Sequence, residues 1–217
     1  MPTLFLDLDG TLTDPKEGIT RCIRYALERL GEAPPAADEL TRYIGPPLLE
    51  TFAELVGEAR AADALALYRE RFADVGWQEN RRFPGMLEAL EALASAGSSL
   101  FVATSKPRVY AERIVDHFGL APYFRQVFGS ELDGRRTDKA ELLRHALEVT
   151  GAGADSVMIG DRRHDIAGAR ANGLAAVGVT WGYGSLDELS EAGAHAILHA
   201  VPELAQLPSV LAASCRQ

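Results

Sequence analysis

Cysteine is nearly absent. Cys22 and Cys215 are the only two in 217 residues, far apart and in no metal-ligand or redox spacing. That pattern fits two reduced thiols in an intracellular protein and points away from thiol chemistry. Long apolar runs are also missing: none approaches the ~20 residues needed to span a bilayer. Asp7 and Asp9 follow the amino terminus too closely for a secretory apolar region. A cytoplasmic location with no membrane partner is therefore expected. Positive charge is in deficit, with 22 Lys and Arg against 31 Asp and Glu and a formal net charge of -9. Such a surface repels nucleic-acid backbones, so no nucleic-acid partner is expected. A small anionic ligand stays compatible, because a few donors and a cation can invert the field inside one cleft. No Gly-x-Gly-x-x-Gly follows the first apolar run, which argues against a general dinucleotide module.

What is present reads as one large α/β protein. Hydrophobic residues make up 47% and charged residues 24%, ordinary for a folded soluble chain. Leu4-Phe5-Leu6-Asp7-Leu8, Leu100-Phe101-Val102-Ala103, Val157-Met158-Ile159 and Ala175-Ala176-Val177-Gly178-Val179 are short apolar runs, and Gln126-Val127-Phe128 is a weaker one. Runs without alternation suit strands covered on both faces of a parallel sheet. Between them Ile19, Cys22, Ile23, Ala26, Leu27 and Leu30, then Met86, Leu87, Leu90, Leu93 and Ala94, then Leu142, Leu143, Ala146 and Leu147 follow helical spacing. Gly31, Gly97, Gly119, Gly151 and Gly173 stand where left-handed helix caps belong. Residues 14–83 are helical in pattern and hold no convincing strand. A doubly wound core of residues 1–13 and 84–217, interrupted after its first strand by a helical subdomain, is the economical reading. The stretch 201–217 reads as a short helix plus tail.

Four features stand at or just after strand ends, where ligands of open parallel sheets sit. Asp7-Leu8-Asp9-Gly10-Thr11 places two acids at a turn, and an acid inside an apolar strand is costly without a cation or hydrogen bonds. Thr104-Ser105-Lys106-Pro107 offers hydroxyls and N–H groups at a helix start, a pattern that also describes a plain cap. Lys139 opens a helix that Thr137 or Asp138 could cap, against the helix dipole. Gly160-Asp161-Arg162-Arg163-His164-Asp165 puts Asp161 and Asp165 four apart. His164, beside two arginines, reads as exposed or supporting rather than as a metal ligand.

In that order these features resemble the four motifs of the haloacid dehalogenase superfamily, and their spacing resembles its phosphoglycolate-phosphatase-like members with a helical cap. The resemblance implies a Rossmann-like core of strand order 5-4-1-2-3 and a phosphatase acting through an aspartyl-phosphate. It implies Asp7 as nucleophile and Asp9 as general acid and base. Magnesium would be held by Asp7, the Asp9 main-chain carbonyl and Asp161, with Asp165 supporting. Thr104, Ser105 and Lys139 would hold the phosphate. Lys106 competes with Lys139, because the family's Gly-Lys-Pro context is replaced by Asp138-Lys139-Ala140. Arg42, Tyr43 and Gly45, in a Pro/Gly-rich break, resemble a substrate-facing turn. Arg162, His164 and Gly129-Ser-Glu-Leu-Asp-Gly-Arg resemble a branch labelled both phosphoglycolate phosphatase and 5′-nucleotidase. A small phosphorylated metabolite is the implied partner of a monomer or homodimer. A phosphomutase of the same fold and a non-catalytic phosphate-binding protein are the alternatives.

Overall fold

The structure is a computed structural model, and it describes residues 2–207. Cys215 and the tail expected beyond Leu207 lie outside the described residues. The strands are β1 (Thr3–Leu6), β2 (Thr13–Asp14), β3 (Arg81–Arg82), β4 (Ser99–Pro107), β5 (Gln126–Ser130), β6 (Val157–Gly160), β7 (Ala175–Val179) and β8 (Ala196–Leu198). The helices are α1 (Lys16–Arg29), α2 (Leu48–Val56), α3 (Glu58–Arg71), α4 (Met86–Ser95), α5 (Arg108–His117), α6 (Lys139–Thr150), α7 (Arg163–Ala171) and α8 (Leu186–Glu191). The chain divides into two compact units. One holds the residues up to Thr13 and those from Arg82 onward, and the other is Asp14–Arg81.

The first unit is built on a six-stranded parallel sheet of order β5-β4-β1-β6-β7-β8. Five of these strands take the expected relative order. The sixth, Ala196–Leu198, was not foreseen, and it extends the edge beside β7. Phe5, Phe101 and Phe128 cluster across three adjacent strands: Phe5 and Phe101 stack with centroids 5.5 Å apart, and Phe128 meets Phe5 edge-on. They pack with Leu142, Leu143 and Ala146 of α6 and with Ile166 and Ala169 of α7. Leu4, Leu6 and Val102 alternate with them and are equally buried, so both faces of the sheet are covered, as continuous apolar strands require. All five expected cap glycines adopt positive φ.

Two helix starts depart from or refine the expectation. The strand containing Thr104 runs on to Pro107 through an irregularity between those residues, so Pro107 precedes α5 rather than sitting in its first turn. Asp138, not Thr137, caps α6: its side chain accepts from the Glu141 N–H at 2.9 Å.

The second unit is helical, and the two-residue strands β2 and β3 pair where the chain enters and leaves it. Its α1 buries Ile19, Cys22, Ile23, Ala26 and Leu27. Arg71 grips Glu79 with two hydrogen bonds of 2.6 and 3.0 Å, and Arg21 adds a third at 2.7 Å. The Arg71–Glu79 side chains are only 20% and 14% exposed, so the pair is weakly screened. Arg71's hydrogen bonds hold the Glu79 carboxyl below the usual glutamate range against the opposing effect of burial. A depressed folded pKa stabilises above the unfolded value, about 4.3, and the contribution is lost as pH falls through the folded value. Glu79→Gln is expected to lower unfolding stability in urea by about 2 kcal/mol at pH 7. The deficit should shrink below about pH 4; a deficit constant across that window would separate Glu79 from the acid sensitivity of the fold.

Candidate active site

Each acid is placed by the strand before it. Asp7 follows β1 and donates its backbone N–H to the Ile159 carbonyl of β6 at 2.9 Å. Asp161 follows β6 directly. The two strands are neighbours although far apart in sequence, so both acids stand at the point where the winding of the sheet reverses. Asp7, Asp161 and Asp165 are buried, and their carboxylates each offer an oxygen within 4.8 Å of the others.

Lys139 reaches this cluster from the first turn of α6. Its ammonium lies 2.9 Å from Asp7 Oδ1, 2.7 Å from Asp165 Oδ1 and 2.9 Å from the Ala103 carbonyl. The Asp7 and Ala103 contacts are hydrogen bonds, and the contact to Asp165 is an ion pair. The competing lysine has a different address: Lys106 Nζ lies 2.8 Å from Asp9 Oδ2, at side-chain exposures of 6% and 12%. Asp9 Oδ1 is buried and accepts no hydrogen bond from the described residues.

The electrostatics follow from crowding. Burial, then repulsion from Asp165 and Asp7, pushes the Asp161 carboxyl well above the usual carboxylate range. Burial also raises Asp165, against the pull of Lys139. For Lys139, burial pulls the ammonium down, but the attraction of Asp165 and Asp7 outweighs it and holds the charge above the ordinary lysine range. Burial raises Asp9 despite Lys106. Burial, then Arg163 and Arg162, lowers His164, which is half-buried and carries no contact to the cluster among the described residues. Four acids against two ammoniums leave the pocket short of positive charge. An all-oxygen donor set of this kind fits a small hard divalent cation.

The remaining expected residues are placed as follows. Thr104 is buried at the end of the regular part of β4, and its hydroxyl accepts from the Lys106 N–H at 3.3 Å. The Ser105 hydroxyl donates to the Thr137 carbonyl at 3.0 Å. Arg42, Tyr43 and Gly45 belong to the helical unit, where Arg42 and Tyr43 both bind Glu54, at 2.5 and 2.8 Å.

Sequence reasoning missed the loop after β7. The Tyr183 N–H donates to Asp161 Oδ2 at 2.8 Å, and Trp181 Nε1 donates to the Thr11 carbonyl at 3.0 Å. A Cβ at Gly182 or Gly184 would come within 2.4 Å of Asp161 Oδ2 and 1.9 Å of its carbonyl, respectively. Gly10, at φ +85, faces the same carboxylate, where a Cβ would lie 2.1 Å from Oδ2. The signal available was Gly182-Tyr183-Gly184 just past a strand end. Glu188 was also missed: it binds Arg162 Nε and the Arg163 N–H, at 3.0 and 2.9 Å. That interaction commits Arg162 to the start of α7.

Fold and site together define a doubly wound α/β enzyme with an acid-rich centre at its switch point. The model of the haloacid dehalogenase-like hydrolase family matches residues 4–179. The chain is 51% identical over 213 residues to a 5′-nucleotidase of Pseudomonas aeruginosa, covering 97% of this chain and 95% of that one. It is 40% identical over 199 residues to tyrosine-protein kinase PtkA of Mycobacterium tuberculosis, covering 91% of this chain and 68% of that one. The crystal structure of a predicted phosphatase from Clostridium acetobutylicum superposes with a TM-score of 0.92 at 40% identity, covering 96% and 98% of the two chains. The chain belongs to the haloacid dehalogenase-like hydrolases, as a phosphatase of that family.

Proposed function

We propose that this enzyme hydrolyses small phosphomonoesters through a phosphorylated Asp7, with a magnesium ion held by Asp7, Asp161 and the Asp9 main-chain carbonyl and with Asp165 alongside. The observation that carries the reading is the buried Asp7 carboxylate at the sheet's switch point, 2.9 Å from the Lys139 ammonium. Lys139 neutralises Asp7, so that an anionic nucleophile can approach an anionic ester. An Asp7 oxygen forms a bond to phosphorus while the bond to the ester oxygen breaks. Asp9 gives its proton to that leaving oxygen. It then takes one from the water that attacks the phosphoryl group, and the Asp7 carboxylate is regenerated. When bound, magnesium supplies positive charge that offsets the acids and polarises the phosphoryl oxygens. Thr104, Ser105 and Lys139 are assigned to phosphate binding. Lys139 could contact phosphate only by exchanging one of its three present partners.

The full-length identity to a 5′-nucleotidase favours a nucleoside 5′-monophosphate over phosphoglycolate as substrate. The test is phosphate release, with magnesium and with chelator, from nucleoside monophosphates, phosphoglycolate, sugar phosphates and an aryl phosphate. Magnesium-dependent release ranked highest on nucleoside monophosphates is expected. Transfer of the ATP γ-phosphate to a tyrosine peptide without hydrolysis of any ester would overturn the phosphatase reading for this chain.

An independent readout is heat. A cation that relieves the repulsion among Asp7, Asp161 and Asp165 stabilises the folded state, by about 2.7 kcal/mol at a concentration 100 times its dissociation constant. The thermal midpoint should therefore rise with magnesium and fall with chelator, and it should not do so in an Asp161→Asn variant.

Substrate choice is assigned to Arg42, Tyr43 and Gly45 on the resemblance alone. Arg42→Ala should raise KM for some esters and not others, with kcat nearly unchanged. An unchanged substrate profile would remove Arg42 from recognition.

A further inference from the structure

Two lysines serve the acids of this site, and the proposed chemistry uses only one of them. Lys106 lies in β4 one residue before Pro107, with its ammonium 2.8 Å from Asp9 Oδ2 in a nearly closed environment. Its backbone is held from several directions. The Lys106 N–H donates to Thr104 Oγ1 at 3.3 Å, and the Ser130 hydroxyl donates to the Ser105 carbonyl at 2.8 Å. The Ser105 hydroxyl binds the Thr137 carbonyl at 3.0 Å. Gly129 lets β5 approach so closely that a Cβ there would lie 2.7 Å from the Lys106 carbonyl. A lysine rooted this firmly presents its ammonium at a defined place.

The consequence falls on Asp9. Its two oxygens are inequivalent: Oδ2 is tied to Lys106, while Oδ1 is buried with no hydrogen-bond partner among the described residues. Unpartnered buried oxygens are rare and call for an explanation. We infer that Lys106 is a positioning residue, which fixes the rotation of the Asp9 carboxylate and leaves Oδ1 as the oxygen that exchanges protons with the reacting groups. The inference rests on the reading of Asp9 as general acid and base. In the first half-reaction Oδ1–H gives its proton to the bridging ester oxygen as the P–O bond breaks and the alcohol departs. In the second, Oδ1 accepts a proton from the water whose oxygen bonds to phosphorus, and the P–O bond to Asp7 breaks with its electron pair returning to the carboxylate.

A carboxylate that swings freely loses aim, and the loss shows where the leaving group needs a proton. An alkyl phosphate needs one; p-nitrophenyl phosphate, whose phenolate leaves unaided, does not. The value of kcat/KM reads phosphoryl transfer to the enzyme without the later hydrolysis. Lys106→Met is expected to lower kcat/KM about 100-fold for an alkyl phosphate, the scale of general-acid catalysis, and only a few-fold for p-nitrophenyl phosphate. Lys106→Arg, which can still donate to Oδ2, should recover much of the alkyl activity. Inhibition by inorganic phosphate should be unchanged. Parallel losses on both esters in a folded Lys106→Met protein, or weakened phosphate inhibition, would overturn the inference and make Lys106 a phosphate ligand or a structural residue. Asp9→Asn is the control. If it too slows both esters equally, the general-acid reading fails; if it discriminates between them and Lys106→Met does not, only the role of Lys106 fails.

Discussion

Replacing Asp7 with Asn should lower phosphate release by a factor on the order of 10^4 to 10^6, the range found when a hydrolase loses a member of its nucleophilic machinery. The substitution is nearly isosteric, and the amide oxygen can still accept from Lys139, which lies 2.9 Å away in the parent. The fold should survive. Without added cation the variant should keep a thermal midpoint close to the parent's, because relief of the repulsion on Asp161 and Asp165 offsets the lost attraction to Lys139. Activity lost with stability kept separates a reacting group from a structural one. The covalent intermediate gives a second check: phosphate should become bound to the parent protein during turnover and not to the variant. Parent-level activity in Asp7→Asn would end the nucleophile assignment.

Lys139→Met should damage both properties. It leaves two buried carboxylates and the Ala103 carbonyl without their donor. Breaking a buried ion pair by removing one partner costs about 3–5 kcal/mol, and such a loss is readily seen as an earlier urea midpoint. The deficit should narrow as pH is lowered, because Asp161 and Asp165, held above the usual carboxylate range, take up protons before surface acids do. Catalysis should fall by about 10^2 to 10^3, the scale of a lost electrostatic contact in the transition state. An unshifted urea midpoint would mean that the buried acids are neutralised by something other than Lys139.

How legible this was depended on whether the signal was local. Asp7 inside an apolar strand and Gly160-Asp161 at the end of another violate simple burial, and such violations are visible in sequence. The cap glycines and the amphipathic helices are local too. The partner of each lysine was not legible: neither Ser105-Lys106-Pro107 nor Asp138-Lys139-Ala140 says which distant acid its ammonium will meet. Only the adjacency of β1 to β4 and β6 decides that. The continuation of β4 past Thr104 is hidden because Pro107 reads locally as a helix opener, whereas in the structure Pro107 is in register with Ser130 of β5. Ala196–Leu198 is three residues long, too short for any periodicity to mark it.

Gly10, Gly182 and Gly184 close around Asp161, and Gly160 lies so near Asp165 that a Cβ would come within 2.2 Å of its carboxyl carbon. Most positions in a protein can drift through a series of slightly larger side chains, each step repaired by a neighbour. These four cannot begin such a series, since the first methyl group already collides with a carboxylate or its backbone. The four glycines and the acids they enclose therefore form one packed unit, in which adding a side chain displaces the centre itself.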